Sequence, residues 1–223
     1  MKTVLIYVWC MLLLISLVQG QSLKVRVANY PPQYYKDNNG EWTGIDVELV
    51  KAIIQEAGMS VEFVEMPWSR ALTSIKNGEI DIMCNVSKTD ERSEFMQWLG
   101  PERFTQMVLI IHKNDKSLKI STLDDVVASV KKTGKKIAAL QNAFYGDGMK
   151  QRINNDVQFA DAFVFVPESQ QFLPMLEKGR VLGFIEERSN MMYKIRHDEK
   201  YKDFYIHSFM FHKEPVYLGI SKK

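Results

Sequence analysis

Three residues in the first half of the chain have the side chains needed to capture a small zwitterion. Tyr30 and Trp68 offer flat aromatic faces, and Arg92 offers a guanidinium that can bind a carboxylate through paired hydrogen bonds. Thr89 is placed to cap a short helix, which would set Arg92 beside free backbone amides. The pattern predicts a binding site for a small carboxylated solute. The alternatives are a surface ion pair for Arg92 and burial in the core for the two rings.

Polar residues at the ends of two predicted strands could complete this site. Asn85 and Ser87 follow one predicted strand and precede Arg92, so their side chains could share its anion. Glu186 and Glu187 follow another predicted strand, and a carboxylate there could take a ligand ammonium. Because a helix is predicted to begin at Glu187, capping of that helix explains an acidic residue equally well.

The same residues do not form a recognisable catalytic set. Ser69 has no histidine nearby in the sequence, and Cys84 is flanked by apolar or neutral residues that would not activate a thiol. There is no glycine-rich phosphate loop, and a formal net charge of +2 creates no strong field for nucleic acid. The four histidines lack the spacing of a metal site: His112, His197, His207 and His212. We therefore expect a binding protein rather than an enzyme, with no metal and no cofactor.

The first 20 residues resemble an export signal. Lys2 precedes an almost unbroken apolar run from Val4 to Val18, and cleavage is expected before Gln21. The run is shorter than the roughly 20 apolar residues of a membrane span, although a retained anchor is the alternative. After cleavage only Cys84 would remain, so no internal disulfide is expected.

Hydrophobic periodicity predicts strands that alternate with helices. In the first half, strands are expected over 23–27, 61–66 and 80–86, with helices over 46–57 and 69–76 between them. Asp46 stands where a helix N-cap would be. In the second half, strands are expected over 135–140, 163–166 and 180–185, with helices over 146–154, 169–178 and 187–196. Short connections imply right-handed crossovers and mostly parallel sheets covered by helices.

Apolar segments between and after these units predict that the chain crosses twice between two lobes. Residues 107–111 form a strand that leaves the first unit, and residues 204–212 and 216–220 form strands that return. The expected division is a signal peptide at 1–20, lobe 1 at 21–106, lobe 2 at 107–208 and a return to lobe 1 at 209–223. Two crossing strands form a hinge, and the cleft beside them is the expected binding site.

In order and type, these motifs resemble family 3 of the bacterial extracellular solute-binding proteins, the polar amino acid group that feeds ABC importers. The resemblance lies in Gly44-Ile45-Asp46-Val47-Glu48-Leu49, Trp68, Gly78-Glu79-Ile80-Asp81, Thr89-Asp90-Glu91-Arg92 and Gly100-Pro101. It implies an α/β fold, a two-lobed periplasmic flytrap with two mostly parallel sheets joined by hinge strands. It also implies an amino acid or similar small-molecule ligand, ABC importer membrane subunits as partners, and a periplasmic monomer.

The resemblance also implies a role for each candidate site residue. Arg92, assisted by Ser87, would hold the ligand α-carboxylate, and Asn85 lies in the same segment. Glu187 would replace the usual aspartate that holds the α-ammonium, and Asp46 would be a structural helix cap. Tyr30 and Trp68 would flank the ligand side chain. Phe144 stands where relatives usually place a small hydroxyl residue; it removes one carboxylate anchor, and these three rings together suggest an apolar or cationic ligand side chain.

Two other functions are compatible with the same scaffold. A few members of the family act as cyclohexadienyl or arogenate dehydratases, and Glu186 or Glu187 could serve as a general acid in a closed cleft. A module that senses ligand or binds a partner, with no role in transport, is the third possibility.

Overall fold

A computed structural model describes residues 22–223 of the chain, and the predicted signal peptide at 1–20 lies outside these residues. The first lobe contains β1 (Ser22–Val27), the hairpin β2 (Tyr35–Lys36) and β3 (Trp42–Thr43), α1 (Ile45–Glu56), β4 (Ser60–Glu65), α2 (Trp68–Asn77), β5 (Ile82–Ser87) and α3 (Asp90–Ser93). Strand β6 (Met96–His112) then crosses into the second lobe. Within residues 22–223, no helix is both long and apolar enough to cross a membrane.

The second lobe repeats the alternation of helix and strand. Its elements are α4 (Leu123–Thr133), β7 (Lys136–Leu140), α5 (Asp147–Asn155), α6 (Val157–Asp161), β8 (Phe163–Val166), α7 (Phe172–Glu177), β9 (Val181–Glu187) and α8 (Arg188–His197). Strand β10 (Phe204–Ser221) crosses back to the first lobe. The predicted α/β class and two-lobed fold are therefore confirmed, while the exact lobe boundaries stay a prediction.

Two long strands join the lobes. The strand order is β4-β1-β5-β10-β6-β9-β7-β8, so hydrogen bonds run without interruption from one lobe to the other. The outer strands pair in parallel within each lobe, whereas β6 and β10 run antiparallel to each other and to β9 and β5. The register of β6 with β10 shifts between Ile206 and Met210, between Met210 and His212, and between Val216 and Leu218. The hinge strands are thus much longer than the short segments that the sequence predicted.

Helices cover both faces of the sheet in the first lobe. On one face, Val50 and Ile54 of α1 pack with Val25 of β1 and Cys84 of β5. On the other face, Ala71 and Ile75 of α2 pack with Met83 and Val86 of β5. Burial of each such aliphatic side chain contributes about 1.5–3 kcal/mol of transfer free energy. Residues 25–27 at the end of β1 are therefore buried, whereas Lys24 near its start is exposed.

The start of α1 differs from the prediction. Gly44 is the residue before the helix, with a φ of 122°, and Asp46 lies inside the first turn rather than capping it. Asp46 is fully buried and pairs with Arg103, whose Nη2 lies 3.3 Å from Oδ2 of the aspartate. The prediction of Asp46 as an N-cap was wrong because a partner 57 residues away, on β6, determines its position.

Candidate functional site

A cavity of about 260 Å³ lies between the two lobes beside the hinge strands. Six of the seven predicted site residues line it: Tyr30, Trp68, Asn85 and Ser87 from the first lobe, and Phe144 and Glu187 from the second. The seventh, Arg92, is buried with 7 % of its surface exposed and lies just behind Trp68. The structure thus brings the predicted residues together.

Arg92 lies at the junction of the lobes. The backbone N–H of Arg92 donates a hydrogen bond to the Thr89 hydroxyl at 3.2 Å, so Thr89 caps α3 as predicted. Nη1 donates to the Ser87 carbonyl at 2.9 Å, and Nη2 donates to the Asn142 carbonyl of the second lobe at 3.0 Å. Burial lowers the pKa of Arg92 to about 10, so the side chain is a cation at neutral pH. A guanidinium has five N–H donors, and these two contacts leave others for a ligand.

Trp68, the first residue of α2, contacts the same loop of the second lobe. Its indole N–H donates to the Asn142 carbonyl at 3.1 Å, and its ring centroid lies 5.4 Å from the Arg92 guanidinium carbon. Asn142 has a left-handed backbone with a φ of 61°, and its side-chain amide donates to the Ser69 hydroxyl at 3.3 Å. Asn142 therefore fastens the second lobe to the start of α2.

An irregularity in β5 turns Asn85 towards the acidic end of the cavity. Asn85 has a φ of 59°, and the pairing of β5 with β10 changes register around it. An extra residue of this kind bends a strand and redirects the side chain. The Asn85 amide consequently reaches Oε2 of Glu187 at 3.4 Å, and its backbone N–H donates to Glu102 at 3.2 Å.

Glu187 ends β9 and is held by neutral donors. Its carboxylate accepts hydrogen bonds from Nε2 of Gln33 and from the Ser189 hydroxyl, both at 2.9 Å. Only 3 % of its surface is exposed. Glu187 stands at the N-cap position of α8, but its side chain makes no capping hydrogen bond to the described helix. The helix-cap interpretation is therefore not supported, and the carboxylate faces the cavity instead.

Glu186 precedes Glu187 on β9 but has different hydrogen-bond partners. Its carboxylate accepts from the Tyr30 hydroxyl at 2.5 Å and from the Glu187 backbone N–H at 2.9 Å. Burial raises the pKa of Glu186, and the nearby Lys194 ammonium opposes that rise. Burial, reinforced by Glu186, also raises the pKa of Tyr30, so the phenol remains a hydrogen-bond donor. The Tyr30–Glu186 bond joins the two lobes.

Phe144 forms an apolar wall of the cavity on the second lobe. Its ring meets the His212 ring edge-on, with centroids 5.4 Å apart. Its neighbour Tyr145 is held by the backbone of Leu140, whose N–H donates to the phenol oxygen at 2.7 Å. The second lobe thus presents rings rather than hydroxyl groups at this point of the cavity.

Two polar residues at the site were not predicted from the sequence. Arg26 lies within the strand predicted over 23–27, where its alternation with apolar residues is typical of a half-buried strand with a polar side, but only 5 % of its surface is exposed and it lines the cavity. The prediction of helices on both faces of a parallel sheet could have corrected this, since such a strand has no solvent face. Gln33, which lies between the predicted elements at 23–27 and 46–57, is fully buried and bonds to Glu187.

Comparison with known proteins gives the same architecture. The chain is 28% identical over 154 residues to the probable ABC transporter extracellular-binding protein YckB of Bacillus subtilis (strain 168), covering 68% of this chain and 50% of that protein. It is 33% identical over 101 residues to a probable histidine-binding protein of Neisseria gonorrhoeae, covering 44% of this chain and 36% of that protein. The chain thus spans about half or less of the length of these two relatives.

A solved structure and a family model extend the match along the chain. The fold superposes on holo ArgBP from T. maritima with a TM-score of 0.71 at 21% identity, covering 90% of this chain and 83% of that one. The model of the bacterial extracellular solute-binding proteins, family 3, matches residues 23–209. Because this match covers well over half of the chain, the chain belongs to family 3 of the bacterial extracellular solute-binding proteins.

Proposed function

We propose that the chain is an extracytoplasmic solute-binding protein that captures a small carboxylated solute, an amino acid, for an ABC importer. The observation that carries the proposal is the cleft cavity, which has a guanidinium beside it on one lobe and a carboxylate facing it from the other. Arg92 with Ser87 would bind the ligand carboxylate, and Glu187 would bind its ammonium. The predicted signal peptide and the family membership support export and a role in transport.

Binding in this geometry would favour closure of the lobes. A ligand shifts an open–closed equilibrium only by its difference in affinity for the two states. An amino acid held by Arg92 on the first lobe and Glu187 on the second makes both contacts only when the lobes are together. The existing bonds across the cleft, Tyr30 to Glu186 and Trp68 to Asn142, would add to that preference.

The test is thermal unfolding of the purified protein with a panel of amino acids, followed by calorimetry with each hit. A ligand at a hundred times its dissociation constant should add about 2.7 kcal/mol of stability. We expect Arg92→Ala to abolish measurable binding while the fold survives. Arg70→Ala is the matched control, because Arg70 is exposed on α2. Unchanged affinity in Arg92→Ala would refute the role of Arg92 in ligand binding. A thermal midpoint that no amino acid, amine or small peptide shifts would favour a sensor or interaction module.

A dehydratase-like activity is the second candidate, and the buried Glu186 carboxyl favours it. Burial raises the pKa of Glu186, as a general acid requires, and the residue lines the cavity. Incubation of the protein with prephenate or arogenate, with product measured directly, separates this activity from binding alone. Turnover that is lost in Glu186→Gln would establish the enzyme and displace the binding proposal.

A further inference from the structure

The unexpected residue of the cleft is Arg26, a buried guanidinium on β1. Its Nε donates to the Met66 carbonyl at 3.1 Å and its Nη1 donates to the Tyr34 hydroxyl at 2.7 Å. Within residues 22–223, no carboxylate lies within 4 Å of its nitrogens, although the residue is only 5 % exposed. Burial of a cation without an anion is costly, so an anion from outside the chain would be bound favourably there.

The acidic residues around the cavity already have partners or lie in solvent, with one exception. On the rim, Glu65 pairs with Lys36 at 3.2 Å, and Glu168 is exposed. At the base, the Lys194 ammonium lies near Glu186 and favours its charged form. Glu187 has only neutral donors within hydrogen-bond distance in the described chain.

Arg103 does not supply an ion-pair partner for Glu187. It lies behind Glu187, but it already pairs with two other carboxylates, those of Asp46 and Glu102. Within residues 22–223, and apart from Glu186 with its nearby lysine, the buried charged groups at or beside the cavity that form no ion pair within 4 Å are the guanidinium groups of Arg26 and Arg92 and the carboxylate of Glu187. The carboxylates of Glu214 and Glu91 act on Arg92 from farther away. A ligand of matching charge carries two anionic groups and one cationic group.

The aromatic residues of the cleft point to the same ligand. The Arg26 guanidinium carbon lies 5.3 Å from the Tyr34 ring centroid and 5.7 Å from that of Trp68. Arg92 lies 5.4 Å from the Trp68 ring, and the Lys194 ammonium lies 5.8 Å from the Tyr30 ring. Cations of the protein already contact these rings, so a cationic ligand side chain placed there would meet like charges.

We propose that the ligand is an acidic amino acid and that Arg26 binds its side-chain carboxylate. This inference rests on the proposed function, since Arg92 and Glu187 hold the α-carboxylate and the ammonium of the same molecule. Arg26 uses two of its five N–H donors on Met66 and Tyr34, which leaves three for the ligand. These two contacts also fix the guanidinium in place. Arg26 is thus the residue that determines specificity.

The deciding experiment compares acids with their amides, because each pair differs in charge but hardly in shape. Calorimetry on the unmodified protein should give L-glutamate or L-aspartate at least a tenfold lower dissociation constant than L-glutamine or L-asparagine, equivalent to about 1.4 kcal/mol at 25 °C. A site built to pair with a polar group rejects an analogue that lacks it, because its own buried group is left unpaired. Raising the salt concentration should leave most of this preference, since buried pairs are weakly screened.

Substitution of Arg26 then assigns the preference to this residue. In Arg26→Met we expect the acid-to-amide ratio to fall below about threefold, because the acid loses more affinity than the amide. Arg26→Lys, which retains the charge, should keep part of the preference. Lys24→Met is the matched control, because Lys24 is the exposed cation two residues earlier on β1. This variant should keep the full preference for the acid over the amide.

The outcomes separate the two proposals. Amino acid binding with no preference for the acid in the unmodified protein overturns the role of Arg26 and leaves the proposed function standing. A full preference in a folded Arg26→Met variant does the same. Failure of every amino acid to bind overturns both.

Discussion

Replacement of Glu187 by glutamine should weaken binding of an amino acid about tenfold without unfolding the protein. Glutamine fits the site: its carbonyl oxygen can accept from Gln33 and Asn85, as Oε2 does now, and its amide can donate to the Ser189 hydroxyl. The change therefore removes the charge and little else. A hydrogen bond to a charged group contributes about 1.5–3 kcal/mol and a neutral one about 0.5–1.5 kcal/mol, so the expected loss is about 1–1.5 kcal/mol, about tenfold in the dissociation constant.

Calorimetry with the best amino acid ligand measures this loss, and urea unfolding of the same samples checks the fold. Glu65→Gln is the matched control, since Glu65 is an exposed rim residue of the same cavity that pairs with Lys36. The Glu65–Lys36 pair is exposed to solvent and has no assigned contact with the ligand, so we expect less than about a twofold change in affinity there. Equal losses in the two variants, or unchanged affinity in a folded Glu187→Gln, would refute the assignment of Glu187 to the ligand ammonium.

Three further perturbations test how the scaffold holds the site. Thr89→Ala removes the cap of α3 and should cost about 1 kcal/mol in urea unfolding and also weaken ligand binding, because Arg92 loses its fixed position; an unchanged midpoint would contradict this. Burial raises the pKa of Glu102 to about 7, so the folded state keeps a proton that the unfolded chain releases near 4.5. Stability should therefore fall from about pH 5 to about pH 8, by up to roughly 3 kcal/mol, and Glu102→Gln should flatten the curve; an identical slope in both proteins would argue against it. Gly44→Ala would place a Cβ 2.5 Å from the Gln33 carbonyl oxygen at a φ of 122°, so we expect the variant to lose roughly 2 kcal/mol or more of stability and to bind ligand more weakly. A variant that unfolds and binds like the wild type would show that the contact is tolerated.

The parts of the fold that could be predicted are those with a strong local pattern. Strand β8 was predicted at its observed bounds, and α2 extends one residue beyond each predicted bound, with Gly78 as its C-cap at a φ of 77°. Helix α4 was missed, although Thr122 and Asp125 form a capping box that marks its start. Pro215 lies inside β10 and divides its apolar pattern, so the sequence suggested two strands where hydrogen bonding with β6 makes one.

The site could be predicted as a set of residues but not as a set of partners. Trp68 and Glu187 both line the cavity, and both stand at the ends of strands or starts of helices, where a local pattern is readable. The partners of Arg92 and the burial of Arg26 depend on contacts with distant parts of the chain. Asn142, for example, lies 50 residues from Arg92 in the sequence. Pairing at such separations is decided by the packing of lobes, which periodicity does not encode.

The continuous pairing of β6 with β10 has a mechanical consequence. Because the two strands stay bonded to each other in both lobes, the lobes can separate by flexing this ribbon, with no strand contact broken or remade. Shifts in register mark compliant points, since a bulge weakens the ladder locally and increases its twist. A solute that contacts both lobes would then stabilise their closed arrangement without any exchange of strand partners.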